Sequence, residues 1–590
     1  MLNYELLENL SKHYEYLKKR INSNDFFLVG GSIRDLLLGI NKKPHDIDIT
    51  LAGNPQDIYN QIDKNNISIF KTEKFGTITI LPKQDDQIAL MGAGNTSKVQ
   101  YEITPLRTEG KYDDFRHPGE INWTENIVLD SHRRDFTINC LYYSVVKIAH
   151  TKFSIQNEIK DEDSYIKLLN ENGMACLLDK KTIIISDEKL ICKIFDNGKF
   201  DTKMLNWYLE SFGYCIFGEN KQTNKVKEEL NDQTRNIIID IHGGVKDLID
   251  KSIKCVGNPD DRFGEDALRV VRGARFLILL NEKLKIVGNL ESYFDFDTNT
   301  RRSMKKNYLL VKYVAKERLR DEYLKIFKSG NPFGFVSLLD ELKLLQILFP
   351  SIGNLKHNDQ PVRYHPFDTY THTLLTLYYL QGINTSYLLK FGALYHDVGK
   401  PDQYYYISIG LDENERKKVY GGKNHHTNIG EEITQEELRK NGFSNKEIQE
   451  ICFYVKYHML PGDILSAKSE NIEKKIKKLL SEYNLEWIIN LIDLAIADRL
   501  GQFNPIGFGP EIQELYYLKE ITQTIFDKQG QFKLSNLEIN GNDIMEIFSI
   551  KPGPQIREIL NQLFERVLED VQGRNNKQII IEYIKNNSII

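Results

Sequence analysis

The N-terminal part of the chain alternates between short apolar strands and a short helical segment. Residues 26–31 read FFLVGG, an apolar run that ends in a glycine turn, and the following IRDLLLG has helical spacing. The next segment, HDIDIT, alternates polar and apolar positions with a period of two, as a half-buried strand does. Two more strands are predicted at 76–82 and 99–104. The pattern predicts an α/β region, called the head below, that ends near Tyr143.

A different pattern follows the head. Residues 146–235 are rich in Asn, Lys and Asp, and they mix strand-like runs (TIIIS, LICKIF) with a helical run (MLNWYLESF). We interpret this segment as an insertion that protrudes from the head without breaking its sheet. From Ile237 the pattern is almost wholly helical, with clear segments LRVVRGARFLILL, KERLRDEYLKIF and FVSLLDELKLLQILF. A linker, HNDQPVRYHPF, precedes another helical block to about 520 and a small helical tail.

Composition narrows the class of protein only moderately. A chain of 590 residues suggests about three to five domains, and the contents of 41% hydrophobic and 27% charged residues are typical of globular proteins. The net charge of −5 neither indicates nor excludes nucleic-acid binding. No apolar run predicts a membrane span, and the start MLNYELLENL does not suit a secretory signal. The six scattered cysteines fit a reducing, cytoplasmic location.

The first candidate site combines a glycine turn with paired acidic residues. Gly30 and Gly31 allow close backbone approach to a phosphate at a helix N-terminus, where Arg34 can add a charge-assisted bond. Asp46 and Asp48 project from the same face of a strand, where their mutual repulsion favours a bound cation such as Mg²⁺. Taken alone, a glycine pair before a helix is more often an ordinary turn, and an isolated DxD is more often a solvated strand edge. Their occurrence within nineteen residues favours a nucleotide site.

These motifs resemble the class II tRNA nucleotidyltransferase (CCA-adding enzyme) and bacterial poly(A) polymerase family, whose signature is GGxxRD followed by DxD. Further along, LDSHRRDFTINCLYY is similar to the family's RRDFTINALYY, with Cys140 in place of alanine. IIDIHGGVKDL resembles IIDPFGGLEDL, and NPDDRFGEDALRVVRGARF resembles RFxEDxLRxxRxxRF. KERLRDE resembles the family's ERIxxE element. The resemblance covers about 1–145 and 236–350.

The resemblance implies roles for individual residues. Asp46 and Asp48 would hold Mg²⁺ ions that bind the triphosphate of CTP or ATP and activate the 3′-hydroxyl of tRNA. Glu102 is a candidate third carboxylate, although it could equally hold Arg107 or another loop residue. Arg107 and Arg116 belong to the family's flexible loop. The implied nucleotide-binding residues are Gly30, Gly31, Arg34, Arg134, Asp135, Asn139, Glu265, Asp266, Arg269 and Arg272.

Asp266 and Arg269 match the family's base-reading EDxxR element. Both residues are predicted to lie on one helix, where their spacing of three places them on a shared face and an acceptor and a forked donor can complement the edge of a base. An ordinary intrahelical ion pair is the alternative.

A second candidate site is rich in histidine. His372, the adjacent His396 and Asp397, and Asp498 resemble the ligand series of the HD phosphohydrolase superfamily. His426 and His458 resemble the additional ligands of its fuller, dinuclear versions, although His425 could replace His426, while His357 and His365 read as linker residues. Imidazole and carboxylate ligands suit Ni²⁺, Mn²⁺ or Mg²⁺. The alternative is a helical spacer that has lost catalysis but kept some ligands.

Together, the patterns and the resemblance predict an α+β nucleotidyltransferase head with a mixed sheet, followed by an all-α neck, body, HD domain and tail. The predicted domains are the head (1–145), the insertion (146–235), the neck and body (236–355), the HD domain (356–520) and a tail that could contact tRNA (521–590).

We expect CCA addition to tRNA 3′ ends from CTP and ATP, with HD-dependent hydrolysis of cyclic or terminal phosphates in RNA 3′-end repair. No membrane and no obligate protein partner are implied. A bacterial poly(A) polymerase is the main alternative. From other classes come a catalytically inactive RNA-binding protein and an HD hydrolase whose head only docks RNA.

Overall fold

The chain folds into two compact units, residues 1–315 and 316–590. The fold is known from a computed structural model. It describes residues 2–3, 5–22, 26–41, 44–71, 76–91, 98–110, 121–148, 151–152, 157–159, 176–177, 182–186, 188–196, 199–201, 205, 215–217, 229–230, 233–288, 293–358, 366–401, 410, 412, 414–415, 425–466, 469–502 and 510–586.

A mixed sheet of eleven strands, counted over the described residues, organises the first unit. Its strand order is β10-β15-β11-β12-β17-β8-β1-β2-β5-β4-β3, and the remaining strands form two-stranded pairs. In chain order the strands are β1 (Phe26–Val29), β2 (Asp46–Leu51), β3 (Ile67–Lys71), β4 (Ile78–Pro82), β5 (Gln100–Pro105), β6 (Arg107–Glu109), β7 (Ile121–Trp123), β8 (Leu141–Ile148), β9 (Thr151–Lys152), β10 (Asn157–Ile159), β11 (Cys176–Leu177), β12 (Thr182–Ile185), β13 (Phe195–Asp196), β14 (Lys199–Phe200), β15 (Cys215–Phe217), β16 (Glu229–Leu230), β17 (Gln233–Asp240), β18 (Ser252–Ile253) and β19 (Asp295–Phe296).

Helices flank this sheet and then make up most of the chain. In the first unit they are α1 (Glu8–Lys18), α2 (Gly31–Leu37), α3 (Pro55–Gln61), α4 (Gln84–Met91), α5 (Ile127–His132), α6 (Glu188–Ile194), α7 (Gly244–Ile249), α8 (Pro259–Glu265), α9 (Leu268–Ile286) and α10 (Thr298–Asn307). Short 3-10 turns occupy Glu5–Leu7, Thr137–Asn139 and Tyr308–Tyr313.

The described part of the second unit contains helices and a 3-10 turn at Leu534–Asn536. The helices are α11 (Lys316–Ser329), α12 (Pro332–Glu341), α13 (Leu345–Leu348), α14 (Pro350–Gly353), α15 (Thr369–Ile383), α16 (Tyr387–Tyr395), α17 (His425–Lys440), α18 (Asn445–Tyr457), α19 (Leu460–Leu465), α20 (Ser469–Glu482), α21 (Leu485–Gly501), α22 (Pro510–Gln529), α23 (Gly541–Phe548), α24 (Pro554–Glu569), α25 (Val571–Arg574) and α26 (Lys577–Asn586).

The four strands predicted in the head correspond to β1, β2, β4 and β5, whereas β3, β6 and β7 were not predicted. All four residues of β1 are buried, as expected for a strand with neighbours on both sides. In β2, Ile47 and Ile49 are fully buried, whereas Asp46 and Asp48 are exposed on the other face. β2 runs antiparallel to β1 and parallel to β5, so the predicted mixed sheet is confirmed.

The described strands β10, β11, β12 and β15 of the insertion continue the head sheet, so over these residues the insertion is not a separate protrusion. β17 pairs antiparallel with β8 over eight residue pairs, and β12 lies parallel to β17. β11, β15 and β10 extend the sheet further. The alternating isoleucines Ile183 and Ile185 are buried in one core with Ile237 and Ile239 of β17. That buried surface is the physical reason why the segment joins the sheet.

Two local predictions need correction. The run LICKIF, expected to be strand-like, lies mostly in helix α6, where Ile191 and Ile194 are both fully buried. Their spacing of three places both side chains on one helix face, which a run of apolar residues does not reveal. The run FVSLLDELKLLQILF forms two helices, α12 and α13, because Lys343 adopts a left-handed φ of 62° between them. The predicted helix MLNWYLESF lies, apart from Leu205, outside the described residues.

The cores of the second unit come from amphipathic helices. Helices α19 to α22 contribute to one apolar cluster, and a separate cluster joins Phe532 to residues of α23, α24 and α26. The C-terminal segment therefore has its own small core. Within the described ranges, no helix combines the length and the apolarity that a membrane span requires.

Candidate functional site

An acidic face forms where β2 and β5 pair. Asp48 lies opposite Glu102 in this parallel register, and Asp46 lies opposite Gln100. Residues paired in this way point to the same side of the sheet, so three carboxylates share one face. Solvent reaches the Asp48 carboxylate, but the surrounding protein strips much of its hydration. This desolvation, together with the charge of Asp46, raises the pKa of Asp48 to about 6. A bound divalent cation would relieve this crowding of like charges, and the oxygen ligands suit Mg²⁺.

The glycine turn adjoins this acidic face. Gly30 has a φ of +85°, a conformation that favours glycine, and helix α2 begins at the next residue. A Cβ atom at Gly30 would lie 3.4 Å from Oδ2 of Asp48. The carboxylates and the glycines are therefore neighbours, as the sequence motif predicts.

Arg34 is buried beneath the turn and has protein partners. Its Nε donates to Asp35 Oδ1 at 2.8 Å, and Nη1 donates to the side-chain oxygen of Asn139. The guanidinium also lies 5.4 Å from the ring centroid of Phe276. The expected contact of Arg34 with a phosphate stays a prediction, because the structure shows this side chain holding Asn139.

Asp130, which the sequence analysis did not single out, organises the arginines of the RRD motif. It is fully buried, and its Oδ1 accepts from Nε of Arg133 at 2.8 Å. Its Oδ2 accepts from Nη2 of Arg134 at 3.1 Å and from the hydroxyl of Tyr142 at 3.0 Å. Burial alone would raise the pKa of Asp130, but the two arginines lower it. The available sequence signal was an aspartate three and four residues before paired arginines.

Asp135 joins the RRD loop to helix α9. Its Oδ2 accepts from both Nε and Nη2 of Arg272, at 3.0 and 2.7 Å. Its Oδ1 accepts from the backbone N–H of Phe136 at 2.8 Å and from the side-chain amide of Asn139 at 3.2 Å. Burial opposes ionisation, but Arg272 and these hydrogen bonds lower the pKa of Asp135 to about 2. Arg134 and Arg272 both lower the pKa of nearby Asp48, so the loop brings cations to the acidic face.

The expected single helix across Asp266 and Arg269 is wrong. Helix α8 ends at Glu265, and Asp266 is extended (φ −138°, ψ 100°) before α9 begins at Leu268. Asp266 instead accepts from the Leu268 N–H through Oδ1 at 3.1 Å. A side chain that competes for a backbone N–H favours such a break.

Arg269 makes an ion pair with Glu265. The distance from its Nη1 to Oε2 of Glu265 is 2.9 Å, and its Nη2 donates to the carbonyl of Arg133 at 2.8 Å. The segment that the resemblance implies to read the base is therefore a helix-break-helix corner that contacts the RRD motif.

The partners of Arg107 and Glu102 show whether Glu102 holds Arg107, one of the two alternatives for this carboxylate. Arg107 pairs with Glu109 at 2.7 Å, while Glu102 accepts from the side-chain amide of Gln100 at 2.8 Å. Glu102 thus does not hold Arg107, and it stays beside Asp48 on the acidic face. Arg116, expected in the flexible loop, lies outside the described residues.

The second candidate site is a buried cluster of metal-ligand side chains in the second unit. Within the described residues, two groups have ligand atoms that all lie within 4.8 Å of one another. One group is His372, His396 and Asp498, and the other is Asp397, His426 and His458. These six residues lie on helices α15, α17 and α21 and at the C-terminal ends of α16 and α18. All six predicted ligands are therefore brought together.

The two groups meet at Asp397. Its Oδ2 lies 3.2 Å from Nε2 of His396, and its Oδ1 lies 3.7 Å from Nε2 of His458. The Nε2 atoms of His372 and His396 lie 3.4 Å apart, and those of His426 and His458 lie 3.4 Å apart. The imidazoles of the two groups and the carboxylate of Asp397 would together hold divalent metal ions. The donor set therefore suits divalent metal ions.

Hydrogen bonds behind the ligands set their orientation. Nδ1 of His396 bonds to the carbonyl of Ala393 at 2.7 Å, and Nδ1 of His458 bonds to that of Val455 at 2.8 Å. Such bonds direct Nε2 towards a metal. Burial alone would raise the pKa of Asp397, but His396 and Lys400, whose Nζ lies 2.5 Å from Oδ2, hold it well below the usual range.

The turn of HDVGK needs a glycine for packing reasons. A Cβ atom at Gly399 would lie 2.1 Å from the carbonyl oxygen of His426 and 2.8 Å from the N–H nitrogen of Gly430. The missing side chain lets α17 bring His426 against the HD turn. The side chain of His425 and all of His365 lie outside the described residues, and His357 occupies a turn.

Comparison with known families divides the chain in the same order. Residues 26–160 match the family described as "Poly A polymerase head domain". Residues 293–355 match "Probable RNA and SrmB-binding site of polymerase A", and residues 369–501 match "HD domain". Head domains and HD domains of these kinds depend on divalent metal ions.

Curated relatives carry the name CCA-adding enzyme. The enzyme of Staphylococcus saprophyticus is 24% identical over 539 residues, covering 91% of this chain and 88% of the relative. That of Enterococcus faecalis is 26% identical over 330 residues, covering 56% of this chain and only 52% of the relative.

Among solved structures, the Bacillus stearothermophilus CCA-adding enzyme in complex with CTP has a TM-score of 0.53 at 17% identity. The alignment covers 98% of this chain and 97% of that enzyme, so the two share a fold. The matches to the head domain, the RNA-binding site and the HD domain occur in this order along the chain, which is similar over most of its length to CCA-adding enzymes.

Proposed function

We propose that this protein adds CCA to tRNA 3′ ends from CTP and ATP without a nucleic-acid template. The observation that carries the proposal is the acidic face of Asp46, Asp48 and Glu102 beside the left-handed glycine turn at Gly30. Relatives named CCA-adding enzyme support the choice of reaction. Scattered cysteines and a tRNA substrate favour a cytoplasmic location.

In the head, Asp46 and Asp48 would hold Mg²⁺ ions, with Glu102 as the third carboxylate. Bound there, the ions supply charge neutralisation of the triphosphate and activation of the RNA 3′-hydroxyl for in-line attack on the α-phosphorus, with pyrophosphate leaving. The chain's own part is orientation. Gly30 and Gly31 open the backbone to the phosphates at the start of α2, and no Cβ atom blocks the approach.

Charge placement around this face favours a triphosphate. The positive charges of Arg134 and Arg272 lower the pKa of Asp48, so both guanidiniums lie close enough to the acidic face to attract an anion bound there. Each is fixed by a buried carboxylate, Asp130 or Asp135. A cation fixed by a buried anion is preorganised, so it loses little conformational entropy when it meets a second, substrate anion.

Base selection is assigned to the corner between α8 and α9. Asp266 and Arg269 supply an acceptor and a forked donor, and the corner rests on the Arg133 carbonyl through Arg269. A hydrogen-bonding site of this kind discriminates strongly between bases, because a wrong base leaves buried polar groups without partners.

The HD domain is proposed to be a second active site that removes cyclic or terminal phosphates from RNA 3′ ends. His372, His396 and Asp498 would hold one divalent ion, and His426 and His458 a second, with Asp397 between them. Ni²⁺, Mn²⁺ and Mg²⁺ are the candidates. Bound there, the metal supplies a water of lowered pKa at neutral pH. Lys400 beside Asp397 adds a positive charge to the site.

The test is a pair of matched substitutions, Asp48→Asn in the head and Asp397→Asn in the HD site. The substrates are tRNA lacking its 3′ end with labelled CTP, ATP, GTP or UTP, and an RNA ending in a 2′,3′-cyclic phosphate with each metal. We expect Asp48→Asn to lower nucleotide addition by at least a thousandfold and to leave hydrolysis unchanged, and Asp397→Asn to do the reverse.

Each of the other results points to a different function. Long A tails in place of C, C and A identify a poly(A) polymerase. No addition by the wild-type protein supports an inactive RNA-binding head or an HD hydrolase that only docks RNA. Loss of both activities from one folded variant contradicts the assignment of separate sites.

A further inference from the structure

Helix α9 is tied to the head at both of its ends by one chain of polar contacts. Near its C-terminus, Nζ of Lys283 lies 2.8 Å from Oδ2 of Asp35. Near its N-terminus, Arg272 holds Asp135 through two bonds. Lys283 and Arg272 are eleven residues apart, which is about 16 Å along a helix.

The two ends are connected through the glycine-turn helix and the RRD loop. Asp35 accepts from Nε of Arg34 at 2.8 Å, and Arg34 donates to the side-chain oxygen of Asn139. The amide of Asn139 donates to Asp135 at 3.2 Å. The contacts therefore run in the order Lys283, Asp35, Arg34, Asn139, Asp135 and Arg272.

The geometry of α9 shows that these contacts share one helix face. Positions 272, 276 and 283 are spaced by four and seven residues, which places them in one stripe. Phe276 occupies the middle of this stripe, and the guanidiniums of Arg34 and Arg272 lie 5.4 and 5.8 Å from its ring centroid.

The middle members of this series of polar contacts are largely inaccessible to solvent, so the contacts between them are rigid. The side chains of Arg34 and Asp35 are 8% and 9% exposed, and that of Asp135 is 10% exposed. The two ends are more accessible, with Lys283 43% and Arg272 37% exposed. Buried, fully paired polar networks transmit a change at one member because each member has few alternative partners.

We propose that Lys283 and Asp35 are positioning residues for nucleotide selection, acting through Arg34 and Asn139 on Asp135 and Arg272. Asp35 completes the GGSIRD motif, and nothing in the catalytic scheme above uses it or Lys283. The chain links the phosphate side of the pocket, at the glycine turn, to the helix that starts at the base-reading corner. This inference rests on the proposed nucleotide addition.

The test compares Lys283→Met with Lys285→Met, an exposed lysine on the same helix. We expect Lys283→Met to lower kcat/KM for CTP and ATP about tenfold and to raise misincorporation of UTP or GTP, with KM for tRNA unchanged. Lys283→Arg is expected to restore both, and Lys285→Met to match the wild type. In an Asp35→Asn background, Lys283→Met should have no further effect, since both substitutions break the same link.

A purely structural role for Lys283 would lower the midpoint of unfolding and leave selectivity and kcat/KM at wild-type values, which would overturn the inference. So would additive effects of Lys283→Met and Asp35→Asn.

Amide hydrogen exchange separates this failure from that of the proposed function, because it needs no activity. We expect Lys283→Met, unlike Lys285→Met, to accelerate exchange at the N–H groups of Thr137, Asn139 and Cys140, which are bonded to backbone carbonyls. Identical exchange in the two variants overturns the inference even if the wild-type protein adds no nucleotide.

Discussion

Asp135 is buried, yet it is held ionised by Arg272 and by the N–H groups of the RRD loop. Its folded-state pKa of about 2 lies below the ordinary value of 3.8. A depressed carboxylate pKa stabilises the folded state above the unfolded pKa, and this contribution is lost as the pH falls from about 4 towards 2.

We therefore predict a pH-dependent effect of Asp135→Asn. At pH 6 the free energy of unfolding of the variant should be about 2 kcal/mol lower than that of the wild type. At pH 3 this difference should be about half as large. Urea denaturation at the two pH values measures it. Asp261→Asn, at an exposed position in helix α8, is the control and should differ little from wild type at either pH. A difference for Asp135→Asn that is as large at pH 3 as at pH 6 would contradict the assigned cause.

At the scale of elements, glycines decide how closely neighbouring segments approach. Gly244 begins α7, and a Cβ atom there would lie 2.3 Å from the carbonyl oxygen of Thr137. Gly399 plays the same part between the HD turn and α17. In both places the contact is with backbone, which cannot move aside as a flexible side chain can.

Gly399→Ala is predicted to push α17 away from the HD turn and to displace His426. Metal-dependent hydrolysis should fall at least tenfold, because ligand atoms must converge within tenths of an ångström. Nucleotide addition should continue. Gly462→Ala is the matched control, since a Cβ atom there meets open space. Hydrolysis rates and far-UV circular dichroism of both variants provide the measurement, and equal hydrolysis would refute the packing argument.

At the scale of the whole molecule, each compact unit has buried apolar clusters and a separate candidate ligand site. The first unit carries the acidic face, and the second carries the HD ligands. A ligand that binds only the folded state raises the free energy of unfolding by RT ln(1 + [L]/Kd). The two units are thus expected to respond to different ligands.

Differential scanning calorimetry should show this separation. A divalent metal at about 100 times its Kd stabilises by about 2.7 kcal/mol, which corresponds to a rise of about 4–5 °C for a unit of this size. With Mn²⁺ we expect one transition to rise, and Asp397→Asn to remove that rise. CTP with Mg²⁺ should raise the other transition, even in Asp397→Asn. If Mn²⁺ moves both transitions equally in that variant, the HD ligands are not the stabilising site.

The sequence was sufficient where structure depends on neighbours along the chain. The apolar run before Gly30 and the alternation at Asp46 and Asp48 predicted β1, the turn and β2, because period and left-handed glycine are local properties. The resemblance of the HD motifs to a known ligand series selected the six residues that the fold assembles.

Tertiary structure decided what depends on contacts distant in sequence. By sequence alone, Ile183 and Ile185 could equally have packed within a protruding insertion. In the structure, β12 pairs with the edge of β17, and both isoleucines pack in the core of the head. The corner between α8 and α9 lies against the RRD motif through the bond from Arg269 to the carbonyl of Arg133, which is far away in sequence.

The same distinction applies to the candidate sites. Residue types and spacing determined which side chains carry the chemistry, whereas burial and long-range pairing decided how each is charged and held. Asp130 and the connection from Lys283 to Arg272 became visible only in the fold, because an ion pair between elements far apart in sequence leaves no periodic pattern.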